Sequence, residues 1–153
     1  MKKLLLITII LCLQSFPSFG SIDGKGLYCY RGPLEPYGFQ FKNGKVGFFD
    51  WMVRDDKWVW EKRQTSEKYG TSTDTIYWSI VNENTKMHII DFTLDRETLN
   101  LKVYFYPITK SDKPSERIDK CKVYSSDEFS TLIEGIRKKW QKGYDKRLKN
   151  KKI

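Results

Sequence analysis

The sequence predicts a mainly β protein: an antiparallel meander of about seven to eight strands, forming a barrel or small sandwich, followed by one C-terminal α-helix. Three observations predict it. From Gly26 onward, aromatic and β-branched residues alternate with polar ones at period two, as half-buried strands require. Short turn signals punctuate that alternation. Past Tyr124 the apolar spacing changes to three and four, the period of a helix.

Ahead of the strands, Met1, Lys2 and Lys3 open the chain with positive charge, and residues 4–13 form an apolar run broken only by Thr8. Ser18 and Gly20 then set small side chains three and one positions before a cut at Ser21. This pattern predicts a secretory signal over residues 1–20, removed from a domain spanning 21–153. The apolar run is about half of the ~20 residues a membrane-spanning helix needs. Leu11 stands before Cys12 where lipid modification would want a small residue, which argues against a lipid anchor there. No later stretch reads as a membrane span. Some 130 residues suffice for one core but not two. With no N-glycosylation triplet in the chain, the expected setting is the periplasm or exterior of a bacterium.

Export also organises the cysteines. Removing the signal removes Cys12 and leaves Cys29 and Cys121, one pair without ambiguity. In an oxidising compartment they are expected to form a disulfide joining the first strand to the last. A redox-active pair would need the two thiols close together in sequence.

The first hairpin is centred on Asn43-Gly44, flanked by Phe39, Phe41, Val46 and Phe48; both turn residues tolerate the positive φ of a type I′ turn. Asp55-Asp56 marks a second reversal, residues 82–85 a third, and Asp95-Arg96-Glu97 a fourth. Residues 69–74 are compatible with either a turn or an exposed strand end. Residues 107–119 read as a long polar loop before a final strand over 120–124. Ser125-Ser126-Asp127-Glu128 is a capping box, opening a helix expected over 125–147. Phe129, Leu132, Ile133, Ile136, Trp140 and Tyr144 place one apolar stripe along it. Arg147 falls in the middle of that stripe, so packing is expected to end near Tyr144 with residues 148–153 frayed. A meander followed by a terminal helix resembles the lipocalin-type architecture. The likeness is one of topology and transfers no ligand and no site.

No motif names a chemistry. There is no nucleophile elbow, no phosphate-binding loop and no run of calcium ligands, and a lone His88 excludes multi-histidine metal sites. No catalytic residue, metal or cofactor is therefore expected. His88 alternates with Ile90, Phe92 and Leu94, which places it at the edge of the core, with Asp91 on the opposite face. Asp55 and Asp56 are turn formers. The aromatics are core formers first, and Trp58, Trp60 and Trp78 are the candidates to line a ligand pocket if the interior has room to spare.

Charge is unevenly placed. The full chain carries +9, and from Arg137 to the end nine basic residues face one acid, Asp145. Arg137, Lys138, Lys139, Lys142, Lys146 and Arg147 are candidate contacts to an anionic envelope surface. Nucleic acid is not an expected partner, because the sheet lacks a basic stripe and export removes the protein from the genome. Two functions thus compete: a non-enzymatic binding module for a small apolar or aromatic ligand or a protein partner, and an envelope-associated structural protein held by its basic tail.

Overall fold

A computed structural model describes residues 22–31, 36–66 and 68–150. The predicted signal and its cleavage point at Ser21 lie outside these residues. The fold is mainly β, with nine antiparallel strands rather than seven or eight: β1 (Lys25–Tyr30), β2 (Pro36–Lys42), β3 (Lys45–Arg54), β4 (Lys57–Ser66), β5 (Tyr69–Thr71), β6 (Thr75–Val81), β7 (His88–Asp95), β8 (Asn100–Phe105) and β9 (Ser115–Ser125). One helix, α1 (Ser126–Asn150), follows.

The strands form one sheet in the order β4-β3-β2-β1-β9-β8-β7-β6-β5. This is an up-and-down meander whose first and last strands pair, and whose single unpaired junction lies between β4 and β5. The sheet is strongly curled. Phe39 on β2 and Trp78 on β6 stand five strand spacings apart in the order, about 24 Å if the sheet were flat. Their ring centroids are 4.8 Å apart. The two edge strands are also consecutive in the chain, with only residues 67 and 68 between them. Gln64 Nε2 of β4 donates to the Val81 carbonyl of β6 at 3.1 Å across the open junction. The result is a half-barrel rather than a sandwich.

The turns follow from local chemistry. Asn43 (φ 55°) and Gly44 (φ 69°) both take the left-handed conformation predicted for them, as do Asp55 (48°) and Asp56 (59°). Asp95 Oδ1 accepts from the backbone of Thr98 at 2.7 Å and of Glu97 at 3.1 Å, closing the β7–β8 turn. Asn82 Oδ1 does the same for Asn84 and Thr85. Residues 69–74 contain the short strand β5. The final strand begins at Ser115, not at Lys120, and its additional residues pair with β8 from Asn100↔Lys120 to Phe105↔Ser115. Its concealment has a cause: the inward positions Arg117 and Asp119 are charged. The loop is accordingly shorter, and Asp112 Oδ2 organises it by accepting from the amides of Thr109 (2.7 Å) and Ile108 (3.2 Å).

Cys29 and Cys121 are directly opposed on β1 and β9 and are disulfide-bonded. The concave face is filled by Leu27, Phe39, Phe41, Val46, Leu94, Leu101 and Val103, all fully buried. Around Phe39, the rings of Tyr37, Phe48, Trp78 and Phe92 meet edge-on or tilted at 4.8–5.6 Å. Such packing leaves this aromatic layer without a ligand-sized void.

The helix covers the convex face of the N-terminal strands. Its capping box forms as predicted: Glu128 Oε2 accepts from Ser125 N at 2.9 Å, and Ser125 Oγ accepts from Glu128 N at 3.4 Å. Phe129 then drops onto bare backbone, because a Cβ on Gly26 would lie 2.2 Å from its Cγ and one on Gly38 would lie 3.1 Å from its Cζ. Further along, Trp140 packs against Trp51 (5.0 Å) and Trp58 (4.9 Å). Gln141 accepts from Trp58 N at 2.8 Å and donates to Asp56 O at 2.9 Å. Tyr144 OH donates to Asp56 Oδ1 at 3.0 Å. The helix continues through Asn150, so residues 148–150 are helical rather than frayed.

Two measurements check this arrangement. Gly26→Ala overpacks the Phe129 seat and is expected to cost ~1–3 kcal/mol, and Phe129→Ala ~3–5 kcal/mol; the double variant should lose less than the sum, because the added methyl then has no ring to meet. Urea unfolding of the four chains gives the coupling. Replacing both Cys29 and Cys121 by alanine, with 92 residues of sequence separation between them, should lower stability by about 4–5 kcal/mol in the same assay.

Candidate functional site

The three candidate tryptophans do not converge. Trp58 and Trp60 lie on the convex face beneath α1, where Trp60 stacks on Phe49 at 6.0 Å and meets Phe129 at 6.2 Å. Trp78 lies on the concave face, stacked on Phe92 at 5.3 Å. Strand parity alone could not reveal this, because on the N-terminal strands both faces are covered, one by the core and one by the helix.

Trp78 instead lines a groove of about 570 Å³ along the open junction of the half-barrel, with Gln64, Tyr69, Tyr77, Ser79 and His88 among its other walls. Gln64 comes from the β4 edge, while Tyr77 and Ser79 come from β6. Tyr77 lies over Gly70, where a Cβ would stand 2.2 Å from its ring, and remains 53% exposed. Trp78 itself is 3% exposed, yet its Nε1–H has no acceptor among the described residues. Among the described residues the equally inaccessible indole N–H groups of Trp51, Trp58 and Trp60 also lack acceptors, but those residues do not line this groove.

His88 reaches this groove through a β-bulge. The β6–β7 register slips between Ile80 and Val81: Ile80 pairs with Ile90, while Val81 pairs with His88. The extra residue, Ile89, packs against the core, and His88 turns to the convex face and is exposed. The strand alternation that placed His88 at the core edge and Asp91 on the opposite face is therefore overturned. The bulge brings them together, with His88 Nδ1 2.9 Å from Asp91 Oδ1. Since an ionised carboxylate only accepts, the proton sits on Nδ1 and Nε2 is left for another partner. Bulges that re-aim a side chain in this way are found beside functional sites.

Asp91 has a second tie, for Tyr106 OH donates to its Oδ2 at 2.6 Å. Partial burial alone would raise the Asp91 carboxyl, but hydrogen bonds from Ser79, Tyr106 and His88 outweigh it and hold the group below the usual carboxylate range. The Tyr106 hydroxyl is in turn raised, first by its hydrogen bond to Asp91.

Two further arrangements were not legible in the sequence. Asp119, 4% exposed, accepts from the Tyr37 hydroxyl and from Arg117 Nε (2.8 Å), while the Arg117 guanidinium lies 4.7 Å over the Phe105 ring. Burial, then the bond to Asp119, raises the Tyr37 hydroxyl well above its ordinary range. Beside it, Arg31, Tyr37, Asp50, Trp51, Trp58 and Trp140 border a smaller groove of about 320 Å³. Burial likewise pushes the Tyr28 hydroxyl up to about 12.

Of the candidate basic residues, Arg137 pairs with Glu134 at 2.8 Å and Lys138 with the same carboxylate at 3.6 Å. Lys139, Lys142, Lys146 and Arg147 are exposed on α1. Among the described residues no group of three or more His, Cys, Asp or Glu side chains could hold a metal, and no helix is long and apolar enough to cross a membrane. Comparison with protein-family models, curated proteins and solved structures finds no match to the chain.

The depressed Asp91 carboxyl makes a signed prediction. Its contribution to stability is present above the unfolded aspartate value of ~3.9 and is lost as pH falls through the lower folded value. Tyr106→Phe removes one donor, so the Asp91 titration, followed by carboxyl carbon NMR, should move up in pH, and the acid-side loss of stability should shrink.

Proposed function

We propose that the chain is an exported binding domain that holds a small planar or aromatic ligand in the groove along the open junction of its half-barrel. One observation carries this reading: Trp78, one of the residues lining that groove, is almost wholly buried, and its indole N–H finds no acceptor among the described residues. An unsatisfied buried donor costs about 1–3 kcal/mol, so an acceptor supplied from outside has a free-energy gain waiting for it. The groove's volume lies in the range of small-molecule sites, and its walls combine aromatic faces with a few polar groups. The imidazole of His88, fixed by Asp91, offers Nε2 at one wall as an acceptor for a ligand hydroxyl or amide. Because the aromatic layer of the concave face is packed, the ligand belongs at the barrel's open edge rather than in its interior. Export is supported by the signal-like first twenty residues and by the Cys29–Cys121 bridge, which an oxidising compartment would preserve.

The test is a titration of the disulfide-bonded chain with phenol and benzamide, followed by the indole N–H resonances, with Trp78→Phe identifying the Trp78 signal. The Trp78 resonance should shift saturably while that of Trp60, packed between the helix and sheet, stays in place. His88→Ala should weaken the phenol effect severalfold. A Trp78 signal that neither compound moves at millimolar concentration overturns the reading.

A further inference from the structure

Lys138, Lys142, Lys146 and Lys149 recur along α1 at intervals of four, four and three. At ~100° per residue they fall within about an 80° arc, on the side of the helix away from Phe129, Ile136 and Trp140, and the row runs about 16 Å. All four are exposed. Lys138 is engaged with Glu134 at 3.6 Å. Among the described residues, no carboxylate stands within ion-pair distance of Lys142, Lys146 or Lys149, nor of the flanking Lys139 and Arg147. Asp145, the one acid in this stretch, accepts from Gln141 Nε2 at 2.8 Å. The last tie from the helix to the sheet is Tyr144 to Asp56, so Lys146 and Lys149 stand beyond the packed part.

A row of like charges without counter-ions repels itself, and the helix dipole compensates cations only in the final turn. An external anion would relieve the rest. Trp140 packs on Trp51 and Trp58 and Tyr144 bonds Asp56, so neither gives the lysine row a face on which bases could stack. What the row offers is point charges on a straight line, all reachable by one plane of phosphates.

We propose that this row docks the domain on a membrane surface rich in anionic phospholipid headgroups. The proposal is independent of the groove. It revises the sequence-predicted set: Arg137 drops out because Glu134 holds it through two hydrogen bonds, Lys139 and Arg147 flank the row, and Lys149 joins it.

The test is co-sedimentation of the disulfide-bonded chain with phosphatidylcholine vesicles with and without phosphatidylglycerol, at low and high salt. Two triple variants carry the same change in net charge: Lys142→Glu/Lys146→Glu/Lys149→Glu in the row, and Lys110→Glu/Lys113→Glu/Lys122→Glu elsewhere. The unmodified chain should bind only the anionic vesicles and should release them at high salt. At about fivefold per lysine lost, the row variant, which also reverses each charge, should lose at least ~100-fold in affinity while the other loses severalfold at most. Circular dichroism establishes that each variant is folded, and glutamine in place of glutamate serves if the reversed row is not. Equal losses in both variants, no vesicle binding, or equally tight binding to double-stranded DNA overturns the proposal.

Discussion

Everything in this structure hangs on the pairing of β1 with β9. The sheet consists of two meanders, β1 to β4 running outward from the centre and β5 to β9 running back in towards it, and the β1–β9 ladder is the one strand pair that joins them. Cys29 and Cys121 sit opposite each other within that ladder. Tyr37 on β2 reaches across β1 to Asp119 on β9, a polar tie spanning the same join. On the convex face α1 leaves β9 and crosses to the opposite meander, where Phe129 sits on the glycines of β1 and β2. Covalent, polar and apolar links thus reinforce the one place where the barrel's two halves meet.

That closure displaces the weakness elsewhere. A meander whose first and last strands pair could form a complete barrel, but β4 and β5 do not pair as strands, and the side-chain amide of Gln64 reaches across the junction to Val81. β5 is only three residues long, too short to cover the free edge of β6. The aromatic layer around Phe39 fills the curl, so the groove arises where the sheet is left unpaired. The same rolling exposes a nearly buried tryptophan to that groove: Trp78 belongs to the core by its ring contacts and to the opening by its position on β6.

The legible parts of the fold were those decided by neighbours in sequence. Asn43-Gly44 and Asp55-Asp56 adopt the positive φ angles their chemistry favours, and the capping box at Ser125 and Glu128 closes as its spacing dictates. What escaped was set by distant partners. Ser115–Asp119 looked like loop because its inward side chains include a charged pair, and Tyr37, some 80 residues earlier, joins Arg117 in making the burial of Asp119 possible. One extra residue in β7 reverses the face of His88, a change no count of alternating residues can detect. The helix outlasts its apolar stripe because its last turns keep their own backbone hydrogen bonds where no core is available to them.

The two faces of the sheet also divide the labour of the surface. α1 covers the convex side of β1 to β4 and must turn its aromatic stripe inward, which forces its lysines outward along one line. The helix does not cover the convex side of β6 to β8, which leaves Tyr77 (53% exposed) in the open and carries the His88–Asp91–Tyr106 cluster. The groove draws on both meanders, through Gln64 of β4 and Tyr77 and Ser79 of β6, whereas the basic row lies on α1. Because no residue of the basic row lines the groove, altering either is a local change, and a domain held by its helix would keep the open edge of its barrel accessible.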